Sequence, residues 1–284
     1  MKRLILFLAI GSTFAFTFKT KKFSKLDEYA FIHSGTTTLN NETYSCNAFY
    51  MATTEVSNAH YREFLADLVK EGRMADYEIA VPDTAQWTES LKNMCMEPMK
   101  NLYFSHPAYD NYPVVNVSKK GADMYCIWLT KKMRAMFPNE LLNDFRLPTK
   151  KEWVYAARGG LKMGAYPWGG PNTKNVRGCS LANYLEIGDK NITKDKDGQL
   201  KIVESPILTG EYMTLAGVST YNPNGFGLYN MSGNCAELVA KEDVVMGGSW
   251  LSPGHDIKVT SEQEFTKANP TVGFRPVVSF LISD

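Results

Sequence analysis

The sequence has almost no net charge: 31 Lys and Arg stand against 30 Asp and Glu. Phosphate binding needs clustered cations, so nucleic acid is excluded as the main partner. Histidine is scarce. His33, His60, His106 and His255 are the only four, and none belongs to an H-x-x-x-H or H-E-x-x-H unit. A two-imidazole metal site on one helix is therefore not predicted. The five cysteines are Cys46, Cys95, Cys126, Cys179 and Cys235. They form no C-x-x-C unit, so neither a zinc site nor a dithiol redox site is expected. No cysteine follows Cys235. Internal repeats and low-complexity segments are missing too. Beyond the first residues, no apolar run is long enough to span a bilayer.

What is present is a globular composition: 44% hydrophobic and 21% charged residues, with 15 Tyr, 15 Phe and 5 Trp. That is enough apolar surface to order the chain, and nothing marks a second domain. Lys2 and Arg3 precede the apolar run Leu4 to Ile10, with mostly small or apolar residues through Ala15. This is the layout of a signal peptide over 1–15, a retained membrane anchor being the alternative. Residues 16–29, with Lys19, Lys21, Lys22 and Lys25, read as a solvated linker. No cysteine adjoins the apolar run, so a lipid-anchored form is not expected. The expectation is an exported protein, periplasmic or associated with the outer membrane, with a folded domain over 30–284. With an odd cysteine count, at least one thiol is unpaired or pairs between chains. Cys126 reads as a small core hydrophobe.

Ser57 is a plausible N-cap for a helix carrying Tyr61, Phe64, Leu65 and Leu68 on one stripe. Ser118 caps a second, with Ala122, Cys126, Leu129 and Met133 inward. Thr149 and Glu152 form a capping box for a third, which stops at Gly159-Gly160. Tyr112 to Val117 and Phe274 to Leu281 read as strands, and Asp197-Gly198 as a hairpin turn. Residues 72–111 read as a long irregular insertion rich in Pro and aromatics. Its Trp87, Tyr103, Phe104 and Tyr109 either pack onto their own domain or offer a partner platform.

Seven motifs follow in order: Glu55-Val56-Ser57-Asn58; Tyr112-Pro113-Val114-Val115; Arg146 to Trp153; Tyr166-Pro167-Trp168-Gly169; Pro223 to Asn234; Gly247-Gly248-Ser249-Trp250; and Gly273-Phe274-Arg275. The string resembles the formylglycine-generating-enzyme family, the sulfatase-modifying-factor domain, over residues 30 to 281. The resemblance implies an α+β, C-type-lectin-like fold with three main helices, short strands and little regular structure. Within the insertion, Pro82 to Trp87, Glu97-Pro98-Met99 and Tyr103 to Tyr109 resemble gliding-motility and type IX secretion proteins of the Bacteroidota. Those are mostly outer-membrane lipoproteins with a structural role.

The family's oxidase chemistry rests on two cysteines just after the Gly-Gly-Ser-aromatic motif, which bind copper(I) as soft thiolates. The matching positions here are Ser252 and Ile257. A hydroxyl is a poor copper(I) ligand and an aliphatic chain is none, so copper is not expected and the domain reads as a pseudoenzyme. His255-Asp256 is the one suggestive pair near that site, though such a surface pair is more often just solvated. Cys235 is either a reactive thiol or a buried inert one. The resemblance also implies a calcium loop at Asn230, Ser232, Gly233, Cys235 and Glu237. Asn230 and Glu237 would supply side-chain oxygens, the rest main-chain carbonyls. A second family calcium site begins near Asn183 and Tyr184, but its acidic position reads as Gly210. The run from Asp189 lacks the Glu that an EF-hand needs at position twelve, where Leu200 stands.

The leading expectation is a non-catalytic module that binds envelope proteins, within a gliding or type IX secretion apparatus. The alternatives are an oxidase of the same family using Ser252, His255 or Cys235, and a carbohydrate-binding module suggested by the lectin-like fold alone.

Overall fold

Three hydroxyl side chains start the three longest helices of the computed structural model, which describes residues 28–92, 94–138, 141–186, 192–202 and 214–279. The expected signal peptide and nearly all of the linker lie outside these residues, as does Gly210. Ser57 accepts from His60 N at the start of α1 (Asn58–Lys70). Ser118 accepts from Gly121 N ahead of α5 (Lys119–Met136). Thr149 and Glu152 close a complete capping box on α6 (Lys150–Ala157). Each cap satisfies a main-chain N–H that the first helical turn leaves unpaired.

The strands are short. β1 (Tyr29–Ile32), β4 (Phe49–Ala52), β5 (Phe145–Arg146) and β12 (Val277–Ser279) make one antiparallel sheet in the order β1-β4-β12-β5. A second sheet runs β10-β9-β8-β11. It comprises β8 (Ala236–Leu238), β9 (Val244–Met246), β10 (Glu262–Glu264) and β11 (Val272–Gly273), with β11 parallel to β8. Two hairpins complete the set: β2 (Gly35–Leu39) with β3 (Glu42–Cys46), and β6 (Ile192–Lys194) with β7 (Leu200–Ile202). Asn40 and Asn41 turn the first with φ of 52° and 64°, the left-handed pair a two-residue hairpin needs. In the second, Asp195 Oδ1 accepts from Asp197 N and Gln199 N, the expected Asp197-Gly198 turn.

The apolar stripe of α1 meets the inner face of α5 in the largest core cluster. Tyr61 and Tyr125 stack with centroids 5.7 Å apart, and both meet Phe274 edge-on. Each large side chain buried there contributes about 1.5–3 kcal/mol. Cys126 is buried in this cluster. Tyr112 to Val117 does not form a strand. It makes only the Ser57–Pro113 bridge, because Asn116 turns left-handed with φ 62° and ends the extended run.

The insertion is more regular than its sequence predicts. It contains α2 (Met74–Ala80), α3 (Gln86–Glu89) and α4 (Glu97–Leu102), each shorter than the stretch over which periodicity can be read. Trp87 and Tyr103 are fully buried with rings 4.9 Å apart, in a cluster that includes Val115, Leu215, Cys235 and Trp250. Tyr103 Oη donates to Pro113 O at 2.7 Å, and Asn58 Nδ2 donates to Tyr103 O and Tyr109 O. These aromatics therefore pack onto their own domain. No helix of the described residues is long and apolar enough to cross a membrane.

Candidate functional site

Gly247 and Gly248 carry the Ser249-Trp250 loop out of β9 with φ of 86° and 65°. A Cβ on Gly247 would stand 2.8 Å from Trp153, and one on Gly248 would stand 2.4 Å from Asp256 O. Only glycine allows so close a turn over α6. The loop delivers Ser252 to a buried position, where its Oγ accepts from Ser249 N at 3.0 Å and from Gln263 Nε2 at 3.3 Å. Ile257 is fully buried against Tyr166, Ala182 and Tyr184, with Trp168 packed on the same cluster. Tyr166 and Trp168 stack at 5.0 Å, and Tyr166 Oη donates to Gly254 O. Position 257 is thus part of a small apolar core.

His255 lies on the rim of this loop, with its side chain 79% exposed and Nδ1 3.0 Å from Asp256 Oδ1. The pair borders a shallow cavity of about 470 Å³ also lined by Lys258, Thr260, Ser261, Glu262 and Gln263. The other histidines lie apart from it: His60 stands 3.9 Å from Glu28, and His106 accepts from Ala108 N. All five cysteines are free thiols. Cys235 is fully buried beside Trp87, Tyr103 and Trp250, and burial holds its thiol well above the usual range. Such a thiol is a weak nucleophile and a weak ligand. Among the described residues, no three His, Cys, Asp or Glu side chains group as a metal site.

A second polar centre lies deeper. Glu55 leads into α1, Asn230 and Asn234 sit in the loop before β8, Glu237 is on β8 and Arg275 follows β11. All five are buried. Arg275 Nε and Trp153 Nε1 both donate to Glu237 Oε2 at 2.8 Å, and Arg275 Nη2 donates to Oε1 at 2.7 Å. Both oxygens of Glu237 are thereby engaged. Glu55 Oε2 accepts from Asn230 Nδ2 at 3.1 Å, and Oε1 accepts from Asn234 Nδ2 at 2.9 Å. Burial raises the Glu55 carboxyl to about 7, against the opposing pull of Arg275. Asn230 and Asn234 adopt left-handed φ of 52° and 63°, and Gly233 one of 73°, which folds this loop tightly. A Cβ on Gly233 would stand 2.2 Å from Asn183 O.

The calcium residues expected from the sequence meet here unequally. Asn230 Oδ1 and Ser232 Oγ are buried oxygens with no hydrogen-bond partner, the donor chemistry a hard cation takes. Glu237 is committed to Arg275 and Trp153 instead. Asn183 donates to Thr214 O and Asn234 Oδ1, so at the second family position the amide serves the loop itself. Glu55 and Arg275 stand within two of the seven sequence motifs, where spacing alone assigns them no role. Their signal was a charged residue set among core positions such as Val56 and Phe274.

A family model, "Sulfatase-modifying factor enzyme 1-like domain", matches residues 14–280. The chain belongs to this family. The formylglycine-generating enzyme of Bos taurus is 30% identical over 255 residues, covering 80% of this chain and 54% of the enzyme. The chain therefore spans about half the length of that relative. The protein named inactive C-alpha-formylglycine-generating enzyme 2 of Bos taurus is 28% identical over 258 residues, covering 78% and 73%. The crystal structure of CarF superposes with a TM-score of 0.59 at 19% identity, covering 89% of this chain and 98% of CarF, a likeness of fold. The sulfatase-modifying-factor domain thus has the expected α+β architecture. Membership alone does not fix activity, since relatives named as active and as inactive match at similar identity.

Proposed function

We propose that this sulfatase-modifying-factor domain is non-catalytic and serves as a protein-binding or scaffold component of the bacterial cell envelope. One observation carries the reading. Where the resemblance puts the two copper thiolates, Ser252 is tied to Ser249 and Gln263, and Ile257 is fully buried in an apolar cluster. Neither side chain offers a soft donor, and Cys235 is enclosed elsewhere in the core. Copper(I) would have no thiolate pair to bind.

The finer placement follows from the sequence of the insertion and its exported layout. The protein would act outside the cytoplasm, in the periplasm or at the outer membrane, within a gliding or type IX secretion apparatus. With the insertion's largest aromatics buried, its outer surface would meet partners through residues such as Leu102, which remains exposed. A calcium ion in the 230–237 loop would serve to fix the loop rather than to react, with Asn230 and Ser232 supplying oxygens. Crosslinking in intact cells followed by recovery of this chain tests the scaffold role. Co-recovery of defined envelope proteins is expected. Recovery of the chain alone, together with oxygen consumption on cysteine peptides by the purified protein, would overturn it.

A further inference from the structure

Arg158 is 6% exposed, and no carboxylate among the described residues meets it. It is the C-cap residue of α6, and its Nη1 donates to Thr37 Oγ1 of β2 at 2.6 Å. Nε is buried and donates to nothing. Among the described residues, the bond to Thr37 is the guanidinium's one hydrogen bond. A guanidinium carries five N–H groups, so most of its donors are unspent. Burial pulls the group below the ordinary arginine pKa, and no acidic neighbour opposes it. Arginine is almost never buried without a partner. The end of α6 does not supply one either. Asn224 Nδ2 donates to Ala156 O and Ala157 O, so those carbonyls are already taken.

Two hydroxyls face the same place. Side chains alternate along a strand, so Gly35 and Thr37 share one face of β2. Residues three apart on a helix share one side, which sets Tyr155 and Arg158 together against that face. The Tyr155 hydroxyl rests over Gly35, where any Cβ would run into it, and Arg158 reaches Thr37 one step along. Glycine at 35 is what lets the phenol lie so close to the strand. Thr37 Oγ1 spends a lone pair on Arg158, which leaves its own hydrogen to donate. Tyr155 Oη makes no hydrogen bond among the described residues. Donors therefore gather beside an uncompensated positive charge, the reverse of a cation site.

We propose that Arg158, Thr37 and Tyr155 bind a small free tetrahedral oxyanion, phosphate or sulfate. Its oxygens would take the unspent Nη hydrogens of Arg158 as charge-assisted bonds, with the two hydroxyls donating beside them. Its charge would offset the buried cation. With Arg158 6% and Thr37 3% exposed, the opening admits an ion rather than a bulky organic phosphate.

The test is thermal denaturation and calorimetric titration of the purified protein with sodium phosphate, matched in ionic strength against sodium chloride. Arg158→Met, Thr37→Val and Tyr155→Phe are measured alongside the wild type. The wild type should melt at higher temperature as phosphate rises, and sodium sulfate should act alike. Arg158→Met keeps the aliphatic stem and removes the unpaired charge. In chloride it should melt no lower than the wild type, and phosphate should not stabilise it. Thr37→Val and Tyr155→Phe should each weaken phosphate binding by about threefold to tenfold. Phenyl phosphate should bind far more weakly than phosphate. A wild-type melting temperature that is the same in phosphate and in chloride would overturn the site. So would an Arg158→Met variant destabilised equally in both salts, the mark of a purely structural arginine. Phenyl phosphate binding as tightly as phosphate would overturn the restriction to the free ion. Should Arg158→Met fail to fold, wild-type affinity in both Thr37→Val and Tyr155→Phe would overturn the assignment.

Discussion

The Arg275 guanidinium and the Glu237 carboxylate meet fork to fork, Nε 2.8 Å from Oε2 and Nη2 2.7 Å from Oε1, and neither side chain is exposed. Arg275 also donates to the main-chain oxygens of Ala52, Thr53 and Tyr229. One side chain thereby ties together β4, the loop before β8 and β8 itself. Removing either partner strands a buried charge. Glu237→Gln or Arg275→Met should lower unfolding free energy by about 3–5 kcal/mol, measured by urea denaturation. A loss within experimental error of zero would show that the pair is not part of the folded core.

The insertion should behave as core rather than as a detachable platform. Trp87 packs on Tyr103, and both belong to the cluster around Cys235 and Trp250. Trp87→Ala should cost about 3–5 kcal/mol in the same experiment. A surface appendage would lose far less.

Much of this was legible in the sequence, for physical reasons. Ser57, Ser118 and Thr149 precede clear 3.6-residue stripes, so the three longest helices could be read locally. Glycine motifs with fixed spacing revealed the family. The helices α2, α3 and α4 could not be read, because pieces of four to seven residues show no usable period. The Glu55–Glu237–Arg275 centre was also hidden: its members are 182 and 38 positions apart, and only the fold brings them together. The sequence offers Asn230 through its side chain and Ser232 through its main-chain carbonyl, whereas the fold leaves the Ser232 hydroxyl buried and unpartnered; that Arg275 and Trp153 occupy Glu237 could not be seen from spacing.

Acid should loosen α6. Glu152 accepts from both Nη atoms of Arg146 and closes the capping box with Thr149. Burial raises its carboxyl, but these donors outweigh burial and hold it below its ordinary 4.5. A depressed carboxyl stabilises the fold above its unfolded value and loses that contribution as pH falls through the folded one. Melting temperature should therefore drop below about pH 4.5 more steeply in the wild type than in Glu152→Gln. Parallel acid limbs would contradict this.

The Gly248 turn should be intolerant. Gly248→Ala places a Cβ 2.4 Å from Asp256 O at a φ of 65°. Backbone strain of about 1–3 kcal/mol is expected, more if Ile257 is displaced. Equal stability of Gly248→Ala and wild type would show that the loop is free to shift.

With Ser252 and Ile257 at the two thiolate positions, the Gly247–Ile257 loop should assemble no copper site. The direct measurement is an anaerobic copper(I) titration of the purified protein under reducing conditions, followed by elemental analysis after exchange. The wild type should retain no copper, and uptake should appear only in a variant carrying both Ser252→Cys and Ile257→Cys. Stoichiometric copper in the wild type would contradict it and return the protein to the oxidases of its family.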